Sequence, residues 1–282
     1  MARSLLFLRF ERASVLVTVI WVLVFFAVLS AGIARVVASQ AGLLRKVEGW
    51  VLGEYAMRSA CRHIQKELQA REEPFCSMAY LRLEREAGFG TAMVRYHFVD
   101  EESRINVNTA PQEVLARLPG INANLAGKIK ASAFQPFIVK EALFWVEEFD
   151  RAAFDASRDF VTVYSTGRVN VNTASREVLE AAGLEASLAA AIDDLRKGSD
   201  GARGTDDDMV FKDAALAVEA LNEEMHLSLP QKNLLTELFN SGGIGVNSWN
   251  FTVRASVYVR GKKAGDYEVV LNAGKLLRWQ EY

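Results

Sequence analysis

The chain has 282 residues, half of them hydrophobic, with 33 Lys and Arg against 35 Asp and Glu and a net charge of −2. That length and apolar content allow a sizeable core and more than one domain, which excludes a disordered protein. The near-neutral balance gives no general attraction for nucleic acid, and two cysteines, Cys61 and Cys76, are too few for a disulfide scaffold.

From Ala13 to Ala34 the sequence ASVLVTVIWVLVFFAVLSAGIA carries no charge and is bounded by Arg12 and Arg35. At about 1.5 Å per residue a helix of this length spans about 33 Å, which matches a hydrocarbon layer of about 30 Å. Core helices are not apolar on every side for about six turns, and a cleaved secretory signal has a shorter apolar region of about 7 to 15 residues. A transmembrane helix over 13–34 is therefore expected. No proline interrupts Val36 to Gln69, where Leu44, Val47, Val51, Tyr55, Ile64 and Leu68 recur near helical spacing. One helix is predicted to continue from the span, with an apolar stripe for a soluble head to cover. Arg3, Arg9 and Arg12 against Glu11 make the flank before the span positive, while Arg35, Arg45 and Lys46 lie beyond it. The amino end is placed in the cytoplasm and the bulk of the chain across the membrane. Outside the cytoplasm Cys61 and Cys76 form one disulfide or remain two thiols.

Ala70 to Thr91 mixes charges with Pro74, Gly88 and Gly90 and reads as a connection. Met93 to Val99 alternates, with Val94, Tyr96 and Phe98 on one side and Arg95 and His97 on the other, as a half-buried strand does. Then Ile105-Asn106-Val107-Asn108-Thr109-Ala110, with Glu113-Val114-Leu115 behind it, returns as Val169-Asn170-Val171-Asn172-Thr173-Ala174 with Glu177-Val178-Leu179. These are two copies of one unit, at 105–131 and 169–197. Thr109 and Thr173 are predicted N-caps, the first with Gln112 at capping-box spacing. Each short helix ends near Gly120 or Gly183 and is followed by a second one, Ala123 to Ala131 or Ala186 to Lys197, so the unit is a helical hairpin. Gly198 to Asp213 holds Asp200, Asp206, Asp207, Asp208 and Asp213 on a loop with glycines. Calcium is the candidate ligand of such an oxygen-rich loop, although the spacing is not that of an EF-hand and a solvated acidic loop is the plainer account. Two helices follow, Ala214 to Asn222 and Leu229 to Phe239. From Trp249 to Arg260 the period switches to two, and turns at Gly261 to Gly265 and Ala273 to Lys275 complete an antiparallel meander.

The expected class is α+β: a long N-terminal helix packed on an antiparallel sheet, with an all-helical domain inserted at 105–243 between sheet segments 92–104 and 244–282. With its basic leader, small Ala13, apolar helix and terminal sheet, the chain resembles a type IV pilin-like protein, and within that class the K-type minor pseudopilin of type II (general) secretion. The resemblance implies a leader 1–13 cleaved between Ala13 and Ser14 by a prepilin peptidase, with methylation of the new amino terminus and a mature N-terminal helix over 14–72. It places the chain in the bacterial inner membrane, bulk periplasmic, with the lipid bilayer, the secretion platform, the major pseudopilin and other minor pseudopilins as partners. Ala13 stands where glycine is usual, and Thr18 takes the fifth mature position, where most pilins have glutamate and the K-type subunit does not. Thr18 is thus the expected determinant of a place at the filament tip.

Leu118-Pro119-Gly120-Ile121, followed by an alanine-rich helix, also resembles the helix-hairpin-helix family, whose usual work is gripping a nucleic-acid backbone. A membrane-anchored DNA-binding or DNA-uptake protein is the competing function. Against it, Ile105 to Lys197 holds 10 Lys and Arg and 12 Asp and Glu, and Glu185 flanks the second hairpin. No nucleic-acid partner is expected. The sequence contains no Gly-x-Ser-x-Gly, no phosphate loop and no Gly-x-Gly-x-x-Gly, and His63, His97 and His226 lie apart from one another and from the cysteines. A structural subunit, not an enzyme, is the expectation.

Overall fold

The computed structural model describes residues 3–70, 77–272 and 275–282, with side chains described from Val15 onward. Its contacts divide the chain into Met1–Glu54 and Tyr55–Tyr282. Helix α1 covers Arg3–Gln69, which gives both units helical backbone. In the first unit, large apolar side chains stand uncovered by protein: Trp21 is 70 % exposed, Leu23 63 % and Phe25 63 %. Among the described residues this is the one helix long and apolar enough to cross a membrane. The apolar stripe expected beyond the span is only partly realised. Leu44, Val47, Val51 and Tyr55 are exposed, and the buried face is instead Met57, Ala60, Cys61 and Ile64. The covered face thus starts about three turns after Leu44, where the sequence pattern began it, and Ile64 is the residue of that pattern that is fully buried.

The second unit contains a five-stranded antiparallel sheet in the order β1-β2-β7-β8-β9. Its strands are β1 (Arg85–Phe89), β2 (Ala92–Asp100), β7 (Asn250–Val259), β8 (Lys262–Asn272) and β9 (Lys275–Glu281). Val94, Tyr96 and Phe98 on β2 and Val253, Ala255 and Val257 on β7 are all buried, as period-two alternation demands of the covered face. Part of α1 anchors to that face through polar groups. Tyr80 and Tyr96 donate to the Glu67 carboxylate, and the Arg58 guanidinium lies 5.3 Å from the Trp279 ring centroid. The supposed connection 70–91 contains two elements. Helix α2 (Met78–Arg82) is capped by Ser77, and β1 pairs with β2 through a two-residue turn at Gly90 and Thr91. Periodicity did not show β1 because it is an edge strand with no fully buried residue. Gly90 takes φ 63° there, a conformation that favours glycine.

Between β2 and β7 the chain builds a helical layer with its own core, from Ile105 through Leu143, Leu179 and Ile192 to Val246. The duplicated unit is larger than a hairpin. The first copy runs from β3 (Ile105–Asn106) through α3 (Gln112–Leu115), α4 (Ala123–Ala131) and α5 (Arg151–Ser157) to β4 (Val161–Thr162), which pairs parallel with β3. In the second, β5 (Val169–Asn170) leads through α6 (Arg176–Ala181), α7 (Ala186–Leu195), α8 (Ala214–Met225) and α9 (Leu229–Ser241) to β6 (Ile244–Gly245), which pairs parallel with β5. Two-residue strands are too short for any alternation to reveal. The helix starts differ from expectation in one respect. Ser175, not Thr173, caps α6, and α3 begins after Pro111 without a side-chain cap. Both threonines sit earlier, in turns where the carbonyl of Asn106 or Asn170 accepts from the amides of residues three and four further on.

Candidate functional site

The twin asparagines of the repeat are structural clamps. In each copy the first one, Asn106 or Asn170, accepts from the amide two residues ahead and so closes the turn. The second one grips a distant phenylalanine backbone from both sides. Asn108 accepts from the Phe137 amide at 2.8 Å and donates to its carbonyl at 3.0 Å, and Asn172 does the same to Phe211 at 2.8 and 2.9 Å. Asn172 also donates to the Val246 carbonyl. Identical chemistry at equivalent positions accounts for the repeated Asn-Val-Asn-Thr-Ala without any ligand.

At both hairpin turns, where a phosphate grip would require open backbone amides, another element approaches the glycine on its Cβ side. A Cβ added at Gly120 would lie 2.7 Å from the Ala156 Cβ and 2.9 Å from the Ala153 carbonyl oxygen, so α5 presses directly on the first turn. Gly183 lies against Leu238 of α9 and the Arg117 guanidinium. Lys128, the basic residue after the first hairpin, is drawn to Glu147 and Glu148 at 3.2 and 2.8 Å. A phosphate would have to compete with these carboxylates for Lys128.

Where the helical layer joins the sheet, three consecutive carboxylates close β2, and all three are buried: Asp100, Glu101 and Glu102. Asp100 accepts from Thr173 and Ser248 hydroxyls, both at 2.5 Å, from the Asn170 side-chain amide at 3.0 Å and from the Glu102 amide at 2.8 Å. Glu101 accepts from the hydroxyls of Thr162 and Thr252 and pairs with Arg104 at 2.9 Å. Glu102 accepts from the backbone and side-chain amides of Asn250 and from the Thr166 amide. The knot therefore ties together the end of β2, the start of β7 and both copies of the repeat. Burial raises the Asp100 carboxyl above its ordinary range. Burial first, and the neighbouring Asp100 second, push Glu102 up to about 8. Sequence reasoning passed over this triad. Its one signal was three successive acids at the end of an alternating strand, directly before the repeat.

A second buried ion supports the later copy. Arg196 donates to the carbonyls of Val171 and Ala174 and pairs with Asp193 at 2.9 Å, and burial lowers its guanidinium to about 10.

The acidic loop is occupied mainly with its own backbone. Asp207 accepts from the Ser199 hydroxyl, the Thr205 hydroxyl and the Asp200 and Ser199 amides, bonds that hold its carboxyl below the usual range. Asp208 accepts from the Gly204 amide, Asp200 from that of Ala202, and Asp213 caps α8 through the Leu216 amide; Asp206 is exposed. Among the described residues no three His, Cys, Asp or Glu side chains are grouped to hold a metal ion. Thr18 lies on the exposed part of α1. The side chains of Ala13 and Ser14 lie outside those described, and so does Cys76, the candidate disulfide partner of Cys61. Cys61 itself is buried in the head, and burial pushes its thiol up to about 12.

No family model and no curated protein matches the sequence. A solved structure does match. It is a chain in the crystal structure of the GspK-GspI-GspJ complex from the enterotoxigenic Escherichia coli Type 2 Secretion System, at a TM-score of 0.58 and 12 % identity. The two chains share a fold. The likeness covers 86 % of this chain and 99 % of the other, so it takes in sheet and helical layer together. The α+β expectation holds.

Proposed function

We propose that this chain is a K-type minor pseudopilin of type II secretion, a structural subunit without catalytic activity. In this reading it assembles with other minor pseudopilins at the tip of the periplasmic pseudopilus and supports protein export. The observation that carries the proposal is the joint likeness of sheet and helical layer to a chain of the GspK-GspI-GspJ complex, on a chain that also has an exposed apolar helix near its amino end. The ion-paired Lys128 and the exposed Glu185 beside the second hairpin weigh against the DNA-binding alternative.

The tip position rests on two features. A glutamate at the fifth mature residue pairs with a neighbour's free amino terminus inside a low-dielectric helical bundle, and Thr18 has no carboxylate to offer. A helical layer of about 139 residues (243 − 105 + 1) at 105–243 would obstruct a subunit stacked above it. The leader is cleaved between Ala13 and Ser14, the amino end faces the cytoplasm and the head lies in the periplasm. Co-expression with the other minor pseudopilins tests the assignment: the full chain should co-purify with them in detergent. Failure to co-purify, or immunogold labelling along the whole pseudopilus, would overturn it.

A further inference from the structure

Between α4 and α5 the first copy of the repeat carries a segment that presents an uncovered aromatic surface. Ile138 is 80 % exposed, Trp145 64 % and Phe134 51 %, and the rings of Phe134 and Trp145 meet with centroids 5.2 Å apart. Apolar groups grouped this way on a water-facing domain mark contact sites, and tryptophan is the residue most concentrated among energetic anchors.

The segment is held rigidly. Asn108 clamps Phe137 from both sides, Gln135 donates to the Ile129 carbonyl, Lys140 donates to the Arg158 carbonyl, and Phe144 packs on Phe154 at 4.7 Å. A surface fixed before contact loses little conformational entropy on binding.

The rim is acidic. Glu147 and Glu148 are 82 % and 59 % exposed, and among the described residues the cation bonded to them is Lys128, itself only 25 % exposed; Glu141 lies apart from them, 3.9 Å from the Arg278 guanidinium. That charge selects the occupant. An anionic headgroup layer would be repelled, and a symmetric contact with a second copy would set acidic rim against acidic rim. We propose that the face formed by Phe134, Ile138 and Trp145 docks a folded protein whose contact surface is an apolar pocket rimmed by Lys or Arg. The proposal holds whether or not the chain is a pseudopilin.

The test uses the full chain in its own membrane, with a photoreactive benzoylphenylalanine replacing Ile138 or, as a control, the exposed Leu216 of α8. Irradiation should join one protein species to position 138 and not to 216, through a peptide of that species that lies beside Lys or Arg. Trp145→Ala should reduce the yield at 138 at least about tenfold. The double variant Glu147→Lys, Glu148→Lys should reduce it similarly, and high salt should weaken the wild-type adduct. Protease resistance of each variant, equal to that of the parent, shows that the head remains folded. An absent adduct, an adduct with lipid or with a second copy, the same species at 216, or a yield indifferent to Trp145→Ala and to charge reversal would each overturn the proposal.

Discussion

Replacing Asp100 by asparagine tests whether the buried knot, rather than apolar packing alone, sets the pH response of the head. Glu102 titrates at about 8 in the folded protein against an ordinary 4.5, with burial as the first cause and the Asp100 charge as the second. A carboxyl whose folded value is raised keeps a proton that the unfolded chain has released. Its stabilising effect is complete below about 4.5 and is lost as the pH climbs through about 8. The difference of about 3.5 units corresponds to at most about 5 kcal/mol across that window, at about 1.4 kcal/mol per unit. Asp100→Asn removes the neighbouring charge, so Glu102 should titrate lower and the loss between pH 5 and 8 should shrink. At pH 5 the variant should be weaker than wild type by about 1–3 kcal/mol, because an amide group facing the Asn170 side chain or the Glu102 amide meets a donor where an acceptor stood. Urea unfolding of the detergent-solubilised chain at pH 5, 6.5 and 8, followed by tryptophan fluorescence, gives both slopes. A wild-type stability that is flat or rises across this range, or an Asp100→Asn variant with the wild-type slope, would refute the reasoning.

Other outcomes follow from the same geometry. Asn172→Ala should cost about 3–5 kcal/mol and Asn108→Ala about 1–3, since Asn172 is fully buried and serves a third backbone group; equal losses in urea unfolding would contradict the clamp assignment. Gly120→Ala should destabilise by at least about 2 kcal/mol, and Gly90→Ala by about 1, because both have positive φ but only Gly120 faces α5; the order of the two melting temperatures decides it. In an electrophoretic shift assay the protein should retard no DNA at low salt, and Lys128→Glu with Lys130→Glu should leave secretion intact. Mass spectrometry of membrane-extracted protein should find Ser14 at the amino terminus, where an intact Met1 would exclude the cleavage, and Thr18→Glu should support near-normal secretion.

The sequence made plain whatever rests on period and composition. The strand that became β2 and the boundaries of α4 follow from patterns that burial imposes on neighbouring residues, and a long apolar helix near the amino end follows from composition. Elements whose partners lie far away in the chain were not legible. Strand β1 buries no residue completely, and the two-residue strands β3 to β6 exist through pairing with residues about 55 to 75 positions away. The repeat itself was visible, but its purpose was not: Asn108 and Asn172 reach phenylalanines 29 and 39 residues on. Nothing in the local sequence announces those partners. Asp100 was hidden for the same reason, because its donors Thr173 and Ser248 lie 73 and 148 residues away.

The pairing of β2 directly with β7, with Asp100 opposite Phe251, means that the chain leaves the sheet and returns to it at neighbouring points. A tight turn in place of the intervening helices would yield an uninterrupted meander of five strands. The head can thus be understood as a simple hairpin carrying a guest of two like copies at its tip. Such a build separates two constraints within one polypeptide. The sheet must keep its own strand pairing, while the guest is free to diversify wherever its two attachment points are kept. Homologues should then vary most in what lies between those points and least in the polar residues that fasten it.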